Sequence, residues 1–326
     1  MYNLKSIRIQ ATTACNLKCK HCFAEAGKPK AGEVTIEDFQ PVLGDLEKMR
    51  TQTAVITGGE PLLRRDFVCA LASELTDLEI VNVLYSNMTL FNRKTAELLQ
   101  KSGVFIIHTS IDAPTAIGHD AFRGQKGSFE KTIKSIKLAK KLGFKIWART
   151  TLMDFNVEKI PKILELMLRL KVDSFRVRPV ITLGRTTKEL VISKEQLKKV
   201  DSFLLEKKRL LDGQMEIKFL PFCFDFVIEP STIKETIPCF ETQGYIGATG
   251  EIKPCAYYPV TLGNIRQDSL FETWNCKKAN EFRKKTECPD CSSCRFYSGC
   301  HGGCRAAAFC RTGAFSARDP LCLARD

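Results

Sequence analysis

Between residues 6 and 211 short apolar runs alternate with amphipathic stretches, and this rhythm limits the possible folds more than any other feature. The strand-like runs are SIRIQAT (6–12), TAVITGG (53–59), EIVNVLYSN (79–87), VFIIHTSID (104–112), KIWARTTL (145–152) and SFRVRPV (174–180). They are rich in Val and Ile and bounded by turn residues. Helix-period stretches lie between them, at about 35–49, 66–75, 93–101, 128–142, 156–169 and 193–211. Asn156 precedes one helix, and Ser193 with Gln196 forms a capping box for another. Six successive strand-then-helix units predict an α/β fold with a parallel sheet and helices outside it. Six is fewer than the eight of a closed barrel, so a partial, open-sided (β/α)6 TIM-like barrel is expected. In such units the functional loops follow the C-terminal ends of the strands. Here those loops carry CNLKCKHC, GGEP, SNMT and SIDA, which places all the unusual residues on one rim.

After about residue 212 the rhythm stops, DGQ punctuates the chain, and Cys, Pro and Gly become frequent. YIGATGEIKPC reads as a hairpin around Thr249-Gly250, with Cys255 just after the returning strand. The expected organisation is a barrel domain over 1–212, then a bridging and cysteine-rich region over 213–326.

The N-terminal segment MYNLKSIRIQAT lacks the apolar core of a secretory signal, and no run is long enough to span a membrane. A cytoplasmic protein without membrane partners is expected. Reducing cytosol disfavours disulfides, and so does the distribution of the 15 cysteines, none of which falls between residues 70 and 222. The formal charge of +13 lies largely on helix-like stretches such as KTIKSIKLAKK, which read as solvated faces rather than a nucleic-acid surface. An anionic cofactor or a carboxylate-bearing substrate fits the same charge.

CNLKCKHC places Cys15, Cys19 and Cys22 at C-x3-C-x2-C spacing directly after the first strand. Three thiolates on one loop suit three corners of a 4Fe–4S cluster, which ordinarily takes four, and leave one iron open. Zinc completed by His21 is the competing reading, although His21 sits awkwardly between two of the cysteines. This pattern resembles the radical S-adenosylmethionine (SAM) superfamily, where the open iron binds the amino and carboxylate groups of SAM and the cluster's electron releases a 5′-deoxyadenosyl radical. The resemblance implies a partial barrel and assigns roles to further residues. Gly58, Gly59, Glu60 and Pro61 would contact the methionyl amino group, and Asn87, Ser110 and Asp112 would supply polar partners for cofactor. HDAFRG (119–124) is typical of one branch, and its Arg123 would pair with an anionic group.

The tail resembles the SPASM domain of that superfamily, which carries two auxiliary 4Fe–4S clusters. The resemblance implies that Cys291, Cys294, Cys300 and Cys322 hold an outer cluster, and that Cys239, Cys255 and Cys304 hold an inner one nearer the active site. One family ligand is replaced by Ile233, so either Cys223 reaches the inner cluster or one iron is open. Cys69, Cys276, Cys288 and Cys310 have no assigned role. By spacing alone, a zinc ribbon over Cys291–Cys304 is the alternative.

The leading functional expectation is an enzyme that modifies a ribosomally made peptide or protein side chain by hydrogen abstraction, supplied with electrons by a partner such as flavodoxin or ferredoxin. The alternative is radical decarboxylation of tetrapyrrole side chains, since the segment 302–322 resembles the tails of haem-pathway enzymes and the basic charge suits a polycarboxylate macrocycle. The barrel begins near residue 6, leaving little room for the N-terminal recognition domain of many peptide maturases. A non-catalytic zinc protein is the third reading.

Overall fold

The computed structural model describes residues 1–219 and 240–323. The six anticipated strands are β1 (Ser6–Gln10), β2 (Thr53–Thr57), β3 (Val81–Tyr85), β4 (Val104–Ser110), β5 (Lys145–Leu152) and β6 (Ser174–Pro179), all parallel. A seventh, β7 (Glu216–Phe219), extends the parallel run past the point where the sequence rhythm stops. It is short and its Glu216 and Lys218 alternate with buried Ile217 and Phe219, which suits an edge strand. β8 (Gln243–Ile246) and β9 (Glu251–Lys253) form the expected hairpin, with Gly250 at φ +93°, and β10 (Gly263–Asn264) pairs with β9. β8 lies parallel beside β1, so the cysteine-rich region joins the barrel's own sheet. The strand order is β10-β9-β8-β1-β2-β3-β4-β5-β6-β7, and among the described residues the two edges are not paired to each other.

The helices α1 (Gln40–Lys48), α2 (Arg65–Asp77), α3 (Arg93–Lys101), α4 (Ala116–Arg123), α5 (Ser128–Lys141), α6 (Ile160–Arg169) and α7 (Lys194–Leu210) follow their strands. Asn92 caps α3 by accepting from Thr95 N at 2.9 Å, and Ser193 with Gln196 forms the anticipated box on α7. α4 was not expected from the helix period; it is only eight residues long and starts at Thr115, whose side chain caps it. The tail adds α8 (Leu270–Asn275), α9 (Lys277–Lys285), α10 (Tyr297–Cys300) and α11 (Arg305–Thr312). Arg266 binds Asp38 and the carbonyls of Gly32 and Glu33, and Asp45 accepts from Ser269 and Phe271, which docks the tail on the barrel. No helix among the described residues is long and apolar enough to cross a membrane.

Strand parity divides the core from the site. Ile7, Ile9, Ile56, Leu84, Ile107, Ile146, Ala148, Phe175 and Val177 are buried in the hydrophobic core. Each buried Ile or Phe contributes roughly 1.5–3 kcal/mol. Residues of the opposite parity, among them Tyr85, His108, Arg149 and Arg178, line a cleft. Asn156 joins two strand ends below it. Its amide donates to the Asp112 and Thr151 carbonyls at 3.0 and 2.9 Å, and its oxygen accepts from Met153 N at 2.8 Å. Asn156 therefore lies in a short 3-10 turn before α6 rather than at that helix's start. Asn156→Ala strands three buried backbone groups and is expected to cost about 3 kcal/mol, read as a lowered urea midpoint.

Candidate active site

The loop after β1 carries Cys15, Cys19 and Cys22, and all three thiols are free and line the same cleft. Three other loops hold this loop by its backbone. From the β2 loop, Gly59 N donates to Thr12 O and Glu60 N to Ala14 O, both at 2.7 Å. From the end of α4, the carbonyls of Arg123 and Phe122 accept from Lys18 N and Lys20 N at 3.0 and 3.1 Å. From the β6 loop, Arg185 N donates to Cys22 O at 3.1 Å, while its guanidinium reaches the carbonyls of Cys19 and Ala26 at 3.0 and 3.1 Å. A Cβ at Gly59 would collide with the Ala14 carbonyl, one at Gly124 with Lys18 O and one at Gly184 with Cys22 O. The glycines of GGEP thus serve close approach to the cysteine loop.

Gly58, Gly59, Asn87 and Ser110 line the cleft. Glu60, Pro61 and Asp112 are buried and absent from its wall. The two carboxylates are held there by internal hydrogen bonds. Glu60 accepts from Leu62 N at 3.0 Å, Ser86 Oγ at 2.7 Å and Asn87 N at 2.8 Å, so it props up the loop after β3. Asp112 accepts from Thr151 N at 3.0 Å and pairs with Arg123 Nη2 at 2.6 Å. Asn87 Nδ2 donates to Asn16 Oδ1 at 2.9 Å, so it too touches the cysteine loop.

Burial pushes Cys15 up to about 11 and raises Cys19, so both are protonated thiols until a metal displaces the proton. Burial also lowers His21 to about 3, and its neutral ring stacks on Phe122 at 4.9 Å. Among the described residues no three His, Cys, Asp or Glu side chains converge as ligands of one metal ion. The three cysteines line one cleft.

In the tail, Cys300 and Cys322 are electrostatic neighbours. Cys291 lies against Cys288, a residue without an assigned role, and burial pushes Cys291 and Cys300 up to about 12. Cys294 is partly buried on the turn before α10. Cys304 is buried and caps α11, its sulfur accepting from Ala307 N at 3.4 Å. Cys255 is a neighbour of Arg8 and Tyr245 at the barrel wall. Cys239 and Cys223 lie outside the described residues.

The cleft wall contains Arg123, Arg149, Arg178 and Arg185 and, among the described residues, no carboxylate. Arg8 joins this set from β1, beside Tyr85, Tyr257 and Arg178. These strand arginines escaped the sequence reading, which placed the basic charge on helix faces. The available signal was an arginine inside an otherwise apolar strand at the parity opposite to Ile7, Ala148 and Val177. Arg185 carried no comparable signal.

Two substitutions test the scaffold. Gly59→Ala is expected to cost at least about 1–3 kcal/mol and to lower iron content after anaerobic reconstitution. Burial raises Glu60 from 4.5 to about 7, so the folded chain binds this proton more tightly than the unfolded one. Its contribution is complete below pH 4.5 and is lost as pH rises through 7. Glu60→Gln should therefore flatten the dependence of melting temperature on pH across that window.

The Radical SAM superfamily profile matches residues 9–167, and the SPASM iron–sulfur cluster-binding domain matches 239–295. An AdoMet-dependent heme synthase of Methanosarcina barkeri is 29% identical, over 97% of this chain and 95% of its own length. The antilisterial bacteriocin subtilosin biosynthesis protein AlbA of Bacillus subtilis is 30% identical, over 90% of this chain and 66% of its own. Streptococcus suis SuiB, solved with its precursor peptide SuiA, superposes with TM-score 0.80 at 20% identity, over 99% of this chain and 76% of its own, and shows the shared fold. The zinc-protein reading is thereby set aside: the chain is a radical SAM superfamily enzyme with a SPASM domain.

Proposed function

We propose that this enzyme modifies a carboxylate-bearing tetrapyrrole, the alternative in the sequence reading, rather than a peptide. The observation that carries this is the arginine-lined cleft. Arg185 is committed to the cysteine loop and Arg123 to Asp112, whereas Arg8 and Arg149 have no carboxylate within 4.0 Å among the described residues. A guanidinium held in a low-dielectric pocket without a counterion is suited to an incoming carboxylate, which it can grip through paired N–H donors. One carboxylate on SAM does not require that many cations, and a macrocycle with several acid arms does. Tyr85, His108 and Tyr257 add ring surfaces on the same wall. The near end-to-end match to a heme synthase supports this reading, while the peptide-maturing relative is matched over a smaller share of its length.

Cys15, Cys19 and Cys22 would hold the cluster, which would supply the electron for cleaving SAM to a hydrogen-abstracting radical. Asn87, Ser110 and the backbone of Gly58 and Gly59 would orient the cofactor. Abstraction of a hydrogen atom from a propionate arm by that radical, followed by loss of the carboxyl as carbon dioxide, would leave a vinyl group and release one electron, which auxiliary clusters held by the tail cysteines would accept. Full anaerobic reconstitution is then expected to load about twelve irons per chain.

The reconstituted enzyme, given SAM, reductant and iron coproporphyrin III, should form 5′-deoxyadenosine in proportion to porphyrin and release carbon dioxide. Porphyrin-independent cleavage with recovery of unchanged porphyrin would overturn the proposal. Arg149→Gln should weaken porphyrin binding about tenfold or more, the equivalent of one lost charge-assisted hydrogen bond.

A further inference from the structure

The side chain of Arg123 lies between the Cys19 sulfur and the Asp112 carboxylate. Its Nη1 approaches the Cys19 sulfur at 3.6 Å, and its Nη2 contacts Asp112 Oδ2 at 2.6 Å. The arginine is 6% exposed and Asp112 is fully buried. Both ends of the pair are anchored. Asp112 is held through Thr151 N and through His119 Nδ1, which accepts from the Asp112 backbone N–H at 3.3 Å. Arg123 is the last residue of α4, where the helix dipole favours a cation, and its own carbonyl is tied to Lys18 of the cysteine loop. Sulfur, guanidinium and carboxylate therefore form a chain running from the cysteine loop into the core at the end of β4.

We propose that Arg123 tunes the reduction potential of the cluster carried by Cys15, Cys19 and Cys22, with Asp112 setting how much of its charge reaches the cluster. A reduced cluster carries one more negative charge than an oxidised one, so a fixed cation and an N–H···S bond at one ligand favour the reduced form. The buried carboxylate opposes part of that effect. It also aims the guanidinium fork so that one nitrogen faces sulfur while the other is occupied, which a lysine cannot reproduce. Arg123 is thus a positioning and electrostatic residue, distinct from the arginines assigned to substrate. The inference rests on the family assignment and is independent of the tetrapyrrole reading.

The test is an electron paramagnetic resonance redox titration of the N-terminal cluster, with the auxiliary cysteines intact and iron content measured for each protein. Arg123→Gln should move the midpoint to more negative potential, and Asp112→Asn should move it to more positive potential. Arg123→Lys should fall between the parent and Arg123→Gln. Opposite shifts from two partners of one ion pair are not produced by simple loosening of the loop. Equal shifts in one direction, or no shift in loaded proteins, would overturn the proposal. A second measurement needs no variant. The unaltered holoenzyme, labelled with 15N-arginine, should show hyperfine coupling between a guanidinium nitrogen and the reduced cluster, and a spectrum without that coupling would overturn the proposal equally.

Discussion

The site depends on a cysteine loop that does not hold its own shape. Within Cys15–Cys22 the local hydrogen bonds are few, notably Cys22 N to Cys19 O at 3.3 Å and Leu17 N to the Cys15 sulfur at 3.4 Å. Lys18 N and Lys20 N are bound by the end of α4, the carbonyls of Cys19 and Cys22 by Arg185 after β6, and the β2 loop holds the preceding Thr12 and Ala14 carbonyls. A parallel sheet makes this possible, because it places the C-terminal ends of successive strands side by side. The geometry of the three thiols is consequently a property of the sheet's register.

That arrangement also accounts for the charge of the cleft. Glu60 and Asp112, electrostatic neighbours of Cys15 and Cys19, are buried behind the wall and occupied by internal donors. Removing them from the wall leaves a surface of arginines, aromatic rings and thiols. A cluster bound by thiolates and the proposed carboxylate-bearing substrate are both anionic, so one basic lining would serve both. The auxiliary region adjoins the same wall, because β8 pairs with β1 and brings Cys255 beside Arg8.

Much of the fold was legible in the chain. Four of the six expected helices fall where the apolar period places them, and the other two, α1 and α6, start only after 3-10 turns at Glu37–Phe39 and Asp154–Lys159. α4 and β7 escaped for a common reason: eight and four residues are too few for a hydrophobic period to stand out from noise. Arg185 escaped because backbone carbonyls are its partners, and such pairing leaves no complementary residue type in the sequence.

What the sequence alone determined was local: the order of strands and helices, the grouping of Cys15, Cys19 and Cys22 on one loop, and the hairpin at Thr249-Gly250. Periodicity and short spacings record these directly, since each depends on residues close together in the chain. The tertiary structure decided which way Glu60 and Asp112 face, which strand arginines meet, and that Cys288 lies against Cys291. It also decided that a strand at residue 243 completes the sheet beside residue 6. These outcomes depend on register between distant segments, where a shift of one residue turns a side chain from the cleft to the core.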